Sequence, residues 1–295
     1  MHRFTSVDAT LVVTVTLWAF ILVAQKYAIN KGFDPVAFAV IRNALAAFLF
    51  TVVVLARERS LVMRRSLALI AVLAGLGVWL NQLALTYALD STTATTVALV
   101  LGTVPVFGLL FAVLAGFERP SWRAPLAAAV SLGGVVLVAV GSGGGVSGDI
   151  KGDLLALGTA ATWAAFSVAI VPMLRHYTPL RVGAVTFLIA TFPLAATGRE
   201  EIRAQDFTDL SWLVCLALIY SGVSLVVANS LWFRALHRVG PARATLFANL
   251  QPFLAALIAV VLLSEPLTAV QVLGGIIIAM GILVARRTTT SGPIE

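Results

Sequence analysis

An all-α integral membrane protein of ten transmembrane helices, built as two inverted five-helix repeats, is the fold class this sequence predicts. Three observations predict it: a charge-poor composition, ten apolar runs of membrane-crossing length, and one segment that occurs twice at a fixed offset. The chain has 295 residues, of which 60% are hydrophobic and 11% charged. A soluble domain carries about 25% charged residues. Lipid offers no partner to backbone N–H and C=O groups, so lipid-embedded backbone must bond to itself, as a helix does.

Ten apolar runs can be marked, near 8–29, 36–56, 67–88, 92–116, 123–140, 152–174, 180–197, 211–236, 242–263 and 268–285. Each is roughly the 17–25 residues that a helix needs to cross about 30 Å of hydrocarbon. Their edges carry Asp34-Pro35, Glu118-Arg119-Pro120, Thr178-Pro179, Gly240-Pro241 and Glu265-Pro266. Proline is tolerated in a first helical turn, where its missing N–H costs no bond. The first run is longer than a signal-peptide core and lacks a clear cleavage site, so it is expected to be a retained span.

The repeat pairs 88–138 with 235–285 at an ungapped offset of 147 residues. It aligns Ala88-Leu89 with Ala235-Leu236, Pro105 with Pro252, Glu118 with Glu265 and Gly134 with Gly281. A proline and a helix-end glutamate matching in one register are harder to obtain by chance than Leu, Val or Ala. The Gly-rich stretch 141–152 reads as a flexible polar linker. It sets the expected boundary between a first repeat at 1–145 and a second at 146–295.

Orientation follows from the basic residues. With the N-terminus inside, thirteen of the twenty Lys and Arg fall in cytoplasmic segments and four outside. That asymmetry predicts cytoplasmic N- and C-termini. Five spans per half is an odd number, so the second half is inverted relative to the first. Duplicated, inverted membrane units are the architecture of alternating-access transporters. A net charge of +7 would suggest nucleic acid in a soluble protein; here it reflects Arg in membrane-flanking loops, and no nucleic-acid partner is expected. The single Cys215 excludes an intrachain disulfide or a Cys-rich metal site. No metal or cofactor motif is visible, and neither is a GxSxG, an HExxH or a phosphate loop, so an enzyme is not expected.

All thirteen Asp and Glu fall in loops, tails or span ends. Intramembrane carboxylates are the usual sites of proton coupling and cation binding. A facilitator of neutral or zwitterionic solutes is therefore expected. Arg42 is the exceptional cation, about two turns into the second span. It either contacts a substrate carboxylate, or it snorkels outward or pairs with Asp34 or Asp90. Lys26 and Arg234 lie close enough to span ends to snorkel.

Uncharged polar residues concentrate in the third, fourth, eighth and ninth runs: Asn81 and Gln82; Thr95, Thr96 and Thr103; Ser221, Ser224, Asn229 and Ser230; Thr245, Asn249 and Gln251. Asn81, Thr103, Asn229 and Asn249 are candidates for hydrogen bonds to substrate, and equally for bonds between helices. Trp18 and Trp163 occupy the first helix of each half, well inside the span, where they would wall a binding site or simply pack. Pro105 and Pro252 sit mid-span, each freeing a carbonyl about a turn earlier, and suggest matched bends. Glu118 and Glu265 are expected to anchor the start of the next helix, with a gate as the alternative.

The order of Trp18, Arg42, Ala88-Leu89, Pro105, Glu118, Ala235-Leu236, Leu250-Gln251-Pro252, Glu265-Pro266-Leu267, Gln271, Gly274 and Gly281 resembles the drug/metabolite transporter superfamily, specifically its EamA-type ten-helix transporters. The resemblance covers essentially the whole chain. The first copy departs from it at Gly116-Phe117-Glu118, where the family has a tighter turn. It implies a bacterial inner-membrane protein with a central cavity lined mainly by the first, third, fourth, sixth, eighth and ninth spans. It also implies alternating access and export of amino acids or related metabolites. The four-helix multidrug exporters, more distantly similar, carry a glutamate in their first helix that 11–18 lacks. The expected partners are a small amino-acid-like metabolite and the lipid bilayer, with a monomer expected. The rival readings are a non-transporting sensor or scaffold, a lipid-acting membrane enzyme, and an exporter of another class of metabolite or drug.

Overall fold

Helices form where the apolar runs lie, and their ends are set by specific caps. A computed structural model describes residues 6–117, 126, 129–130, 133–134, 136–137, 140–141, 150–248 and 250–286. In chain order the helices are α1 (Ser6–Asn30), α2 (Pro35–Glu58), α3 (Arg65–Ser91), α4 (Ala94–Leu101), α5 (Val104–Leu114), α6 (Ile150–Ala169), α7 (Val171–Leu174), α8 (Pro179–Thr197), α9 (Arg199–Ala204), α10 (Trp212–Ala248), α11 (Leu250–Leu263) and α12 (Ala269–Arg286). No strand occurs among the described residues.

The caps explain the boundaries. Asp34 accepts the N–H groups of Val36 and Ala37 with Pro35 opening α2, so two of the donors orphaned at a helix start are satisfied. Thr178 accepts from the Arg181 N–H ahead of Pro179-led α8, and Thr93 does the same for α4 through Thr96. Arg59, in the left-handed region at φ 56°, ends α2 by returning its N–H to Val54 and Leu55.

Seven segments among the described residues are long and apolar enough to cross a membrane: Ala9–Asn30, Pro35–Glu58, Arg65–Ser91, Ala94–Leu114, Ile150–Leu174, Pro179–Thr197 and Trp212–Arg238. Two further apolar helices, Leu254–Leu263 and Ala269–Gly281, are shorter. The expected fifth span, 123–140, lies largely outside the described residues. The fourth run differs from a single straight helix: it breaks at Gly102-Thr103 into α4 and α5. Pro105 sits in the first turn of α5, where its missing N–H is harmless, so the proline starts a helix and does not bend one. At Gly240-Pro241 the expected helix end is absent. The backbone is helical through Ala248 and again from Leu250, and Pro252 lies within that second stretch.

First-half helices pack mainly on second-half helices. α1 lies along α10 and α11, α2 along α8, α3 along α6 and α8, and α4 along α11. Small residues allow the close approaches. A Cβ on Gly75 of α3 would stand 2.5 Å from the Ile189 side chain of α8, and one on Gly183 would stand 2.7 Å from the Phe50 ring. The largest core cluster joins both halves, with Phe50, Phe166, Phe187, Trp232 and Phe233 among its buried members.

Candidate functional site

Where α1, α3 and α6 converge, the packing leaves a cavity of about 90 Å³. One wall is apolar and aromatic: Trp18, Ile21 and Leu22 of α1, Trp163 of α6, Leu85 of α3 and Leu225 of α10. The other is polar: Arg42 of α2, Asn81 and Gln82 of α3, Thr159 of α6 and Gln251 of α11. Leu101 and Val104 close it from the break between α4 and α5. That break therefore brings two helix ends to the rim of the cavity. The lining draws on the six spans that the family resemblance implied and adds the second, through Arg42.

The two tryptophans meet. Trp18 and Trp163 pack edge to face with ring centroids 5.4 Å apart, a geometry that places ring hydrogens against a π face. The Trp232 ring centroid lies 5.0 Å from that of Trp18, and Trp232 is 1% exposed. It backs Trp18 from the core and does not line the cavity.

Asn81 both lines the cavity and joins helices. Its Nδ2 donates to the Thr159 carbonyl at 2.9 Å and to Thr162 Oγ1 at 3.1 Å, tying α3 to α6. The other sequence candidates fall elsewhere. Thr103 is buried at the break and turns its hydroxyl back to the Val100 carbonyl. Asn229 is fully buried, donates to the Leu225 carbonyl of its own helix, and is not in the lining. Asn249 lies outside the described residues, as does Glu118.

Arg42 is held inside the protein and is only 1% exposed. Nη1 donates to Gln25 Oε1 at 2.5 Å, and Nη2 donates to Gln82 Oε1. Gln25 in turn donates to Thr86 Oγ1, so α1 and α3 together fix the guanidinium. Its carbon lies 5.9 Å from the centroid of the Phe38 ring. The ion-pair alternative does not occur: Arg42 forms no salt bridge among the described residues. Asp34 is occupied as the cap of α2, and Asp90 is exposed at the end of α3. Gln25 and Thr159 were missed in the sequence, although helical spacing carried the signal. Gln25 is seven residues past Trp18 and Thr159 four before Trp163, each on the face of its tryptophan.

At one end of the bundle a second buried charge has a different setting. Glu265 accepts the N–H groups of Ala94 at 3.0 Å and Thr95 at 2.9 Å, at the very start of α4. It does anchor a helix start, but that of α4 and not of the α12 that follows it. The carboxylate meets the positive end of the helix dipole there. Lys26 closes the neighbouring helix end, donating to the carbonyls of Leu89 and Thr92. It does not snorkel. Among the described residues no group of His, Cys, Asp and Glu is placed to hold a metal.

Comparison with known proteins fits this architecture. The EamA-like transporter family matches residues 5–140 and 150–287. A transporter from Archaeoglobus fulgidus is 24% identical over 278 residues, spanning 94% of this chain and 97% of its own. A protein of Streptantibioticus cattleyicolor, named a probable terminal-alkyne amino-acid exporter, is 25% identical over 286 residues, covering 95% and 93%. A solved crystal structure superposes with a TM-score of 0.65 at 20% identity, over 95% of this chain and 99% of the other, and shows the shared fold. With both stretches of the chain matched and its helices enclosing a cavity, the chain belongs to the EamA-like transporter family and is a multi-pass membrane transporter.

Proposed function

We propose that this protein is a secondary transporter of the bacterial inner membrane that exports small amino-acid-like metabolites by alternating access around the cavity. In this reading ten spans form two inverted repeats, divided near 145, with both termini cytoplasmic. The observation that carries it is the cavity itself. An aromatic wall faces a hydrogen-bonding wall, in a space whose sides come from both halves of the chain. Such mixed lining, mostly apolar with a few placed polar groups, is what small-molecule sites use to bind and orient. The S. cattleyicolor relative, by its name, supports an amino-acid-like cargo.

Trp18 and Trp163 wall the site and Asn81 offers hydrogen bonds beside Gln82 and Thr159. Asn249 and Asn229 remain candidates in a conformation opened differently, as does Thr103 at the hinge-like break. Pro105, in the first turn of α5, and Pro252, at the matching position of the second copy, shape the same region in the two halves. The cavity lining contains no Asp or Glu among the described residues, which supports a facilitator without proton coupling.

The test is saturable uptake of radiolabelled amino acids into proteoliposomes, with and without an imposed pH gradient. Uptake that ignores the gradient is expected. Flux linked to protons in fixed ratio removes the facilitator reading. Absence of flux for the whole panel removes the substrate class.

A further inference from the structure

We infer that Arg42 is the receptor for a carboxylate on the substrate, and that the cargo class is small carboxylates bearing an apolar group, read at the acid and not at the amine. The inference rests on the cavity being a transport site. It goes further by naming which part of the cargo is recognised, and by which residue.

The argument begins with what a buried guanidinium requires. A cation taken from water loses solvation that only an opposite charge or a full set of acceptors replaces. Arg42 has neither. Of the five N–H groups of a guanidinium, two are engaged, by Gln25 and Gln82. Nε is buried with no partner. The two glutamines supply dipoles and no charge. Gln25 is itself fixed, since Thr86 accepts its amide. Gln25, Gln82 and the Phe38 ring thus hold the guanidinium in place while leaving its charge unbalanced. A planar fork with free donors is matched by a carboxylate, which it takes in two parallel bonds.

The rest of the lining fixes the remainder of the cargo. Trp18, Trp163 and Leu225 offer mainly apolar surface and no charge, suited to a hydrocarbon group. The polar wall has amide and hydroxyl groups but no acid, so an ammonium finds acceptors and no counter-charge. Bound cargo and site are then neutral together for a monoanion, and carry one uncompensated positive charge for a zwitterion. A primary amide brings no charge to Arg42 at all.

A consequence follows for direction. A monoanion crossing without a coupled ion responds to membrane potential. An inside-negative potential of 100 mV favours its exit by about fiftyfold, the equivalent of about 2.3 kcal/mol per charge. A simple facilitator of anions is thus biased toward export at such a potential, until the outside concentration exceeds the inside by about fiftyfold.

The test uses the full-length protein in proteoliposomes with three probes of one shape: leucine, its 2-oxo acid 4-methyl-2-oxopentanoate, and leucinamide. The oxo acid is expected to move at least as fast as leucine, and both at least about tenfold faster than leucinamide. An imposed potassium–valinomycin potential is expected to shift flux of the oxo acid and not that of leucine. Arg42→Gln is expected to abolish the preference for acid over amide. Should that variant fail to fold, the acid-to-amide ratio of the unaltered protein still decides. Leucinamide carried as well as the acids, or Arg42→Gln retaining full carriage of the oxo acid, overturns the role of Arg42 and leaves the transport reading standing. If none of the three moves and none raises the melting temperature, both fall together.

Discussion

Glu265 and Arg42 are both buried charges, and the protein treats them differently. Glu265 sits at the end of a helix bundle and receives two backbone N–H groups from the start of α4, with Lys26 nearby to interact electrostatically. Arg42 sits on a cavity, receives two neutral amide oxygens, and keeps an N–H without a partner. The first arrangement is complete and holds α4 against the connection between α11 and α12. The second is incomplete in a place where a small molecule fits. A charge that is fully satisfied serves the fold, whereas one left short beside a cavity is available to a ligand.

Replacement of each charge separates the two roles. Arg42→Met keeps the bulk and removes the uncompensated cation. Removing a buried cation with no counter-charge relieves its desolvation, and this relief is expected to offset the hydrogen bonds that Gln25 and Gln82 lose. The variant is expected to melt at or above the native temperature, while flux of carboxylate substrates falls by at least about a hundredfold, the order of a lost charged contact of about 3 kcal/mol. Glu265→Ala is expected to do the reverse. It leaves the N–H groups of Ala94 and Thr95 without acceptors, at a cost of about 1–3 kcal/mol. Thermal melting in detergent should drop, and the acid-to-amide preference should stay as it was. A melting temperature unchanged by Glu265→Ala would remove the anchoring role.

Smaller effects sharpen the same contrast. Asn81→Ala removes the α3–α6 bonds to Thr159 and Thr162. Interhelical hydrogen bonds in membranes are worth about 0.6–2 kcal/mol, so a modest loss of stability and a severalfold change in substrate affinity are expected together. Either one alone would show that Asn81 serves only packing or only binding. Arg181→Ala, far from the cavity, breaks the 2.9 Å pair with Glu58 that links the end of α2 to the start of α8. Both side chains are largely covered, 18% and 17% exposed, so the loss of stability is expected to reach or exceed the about 1 kcal/mol of an exposed pair, and flux should not change.

The sequence makes the first four spans and the sixth to eighth legible because hydrophobic length is a strong signal, and Asp34-Pro35 and Thr178-Pro179 mark two helix starts to the residue. The breaks are harder to read. A proline such as Pro105 signals either a bend inside a helix or the first turn of a new one, and only the neighbouring Gly102-Thr103 geometry distinguishes them. Glu265 shows the same limit: its chemistry says that it belongs at a helix start, and tertiary packing alone says which. Within the site, Trp18, Trp163, Asn81 and Arg42 stand out by residue type against an apolar background. Gln25 and Thr159 do not, because a single amide or hydroxyl in a span is common. Extending each tryptophan along its own helical face would have reached them. The free charge on Arg42 is not a sequence property at all, since it depends on where Asp34 and Asp90 end up.

The measurement that reaches the central claim most directly takes melting temperature and oxo-acid flux from one preparation of Arg42→Met beside the unaltered protein. Arg42 as an unsatisfied substrate receptor predicts a melting temperature equal to or above native and flux reduced to background. A variant that melts lower, yet carries the oxo acid at the native rate per folded molecule, would show that Arg42 serves the fold as Glu265 does.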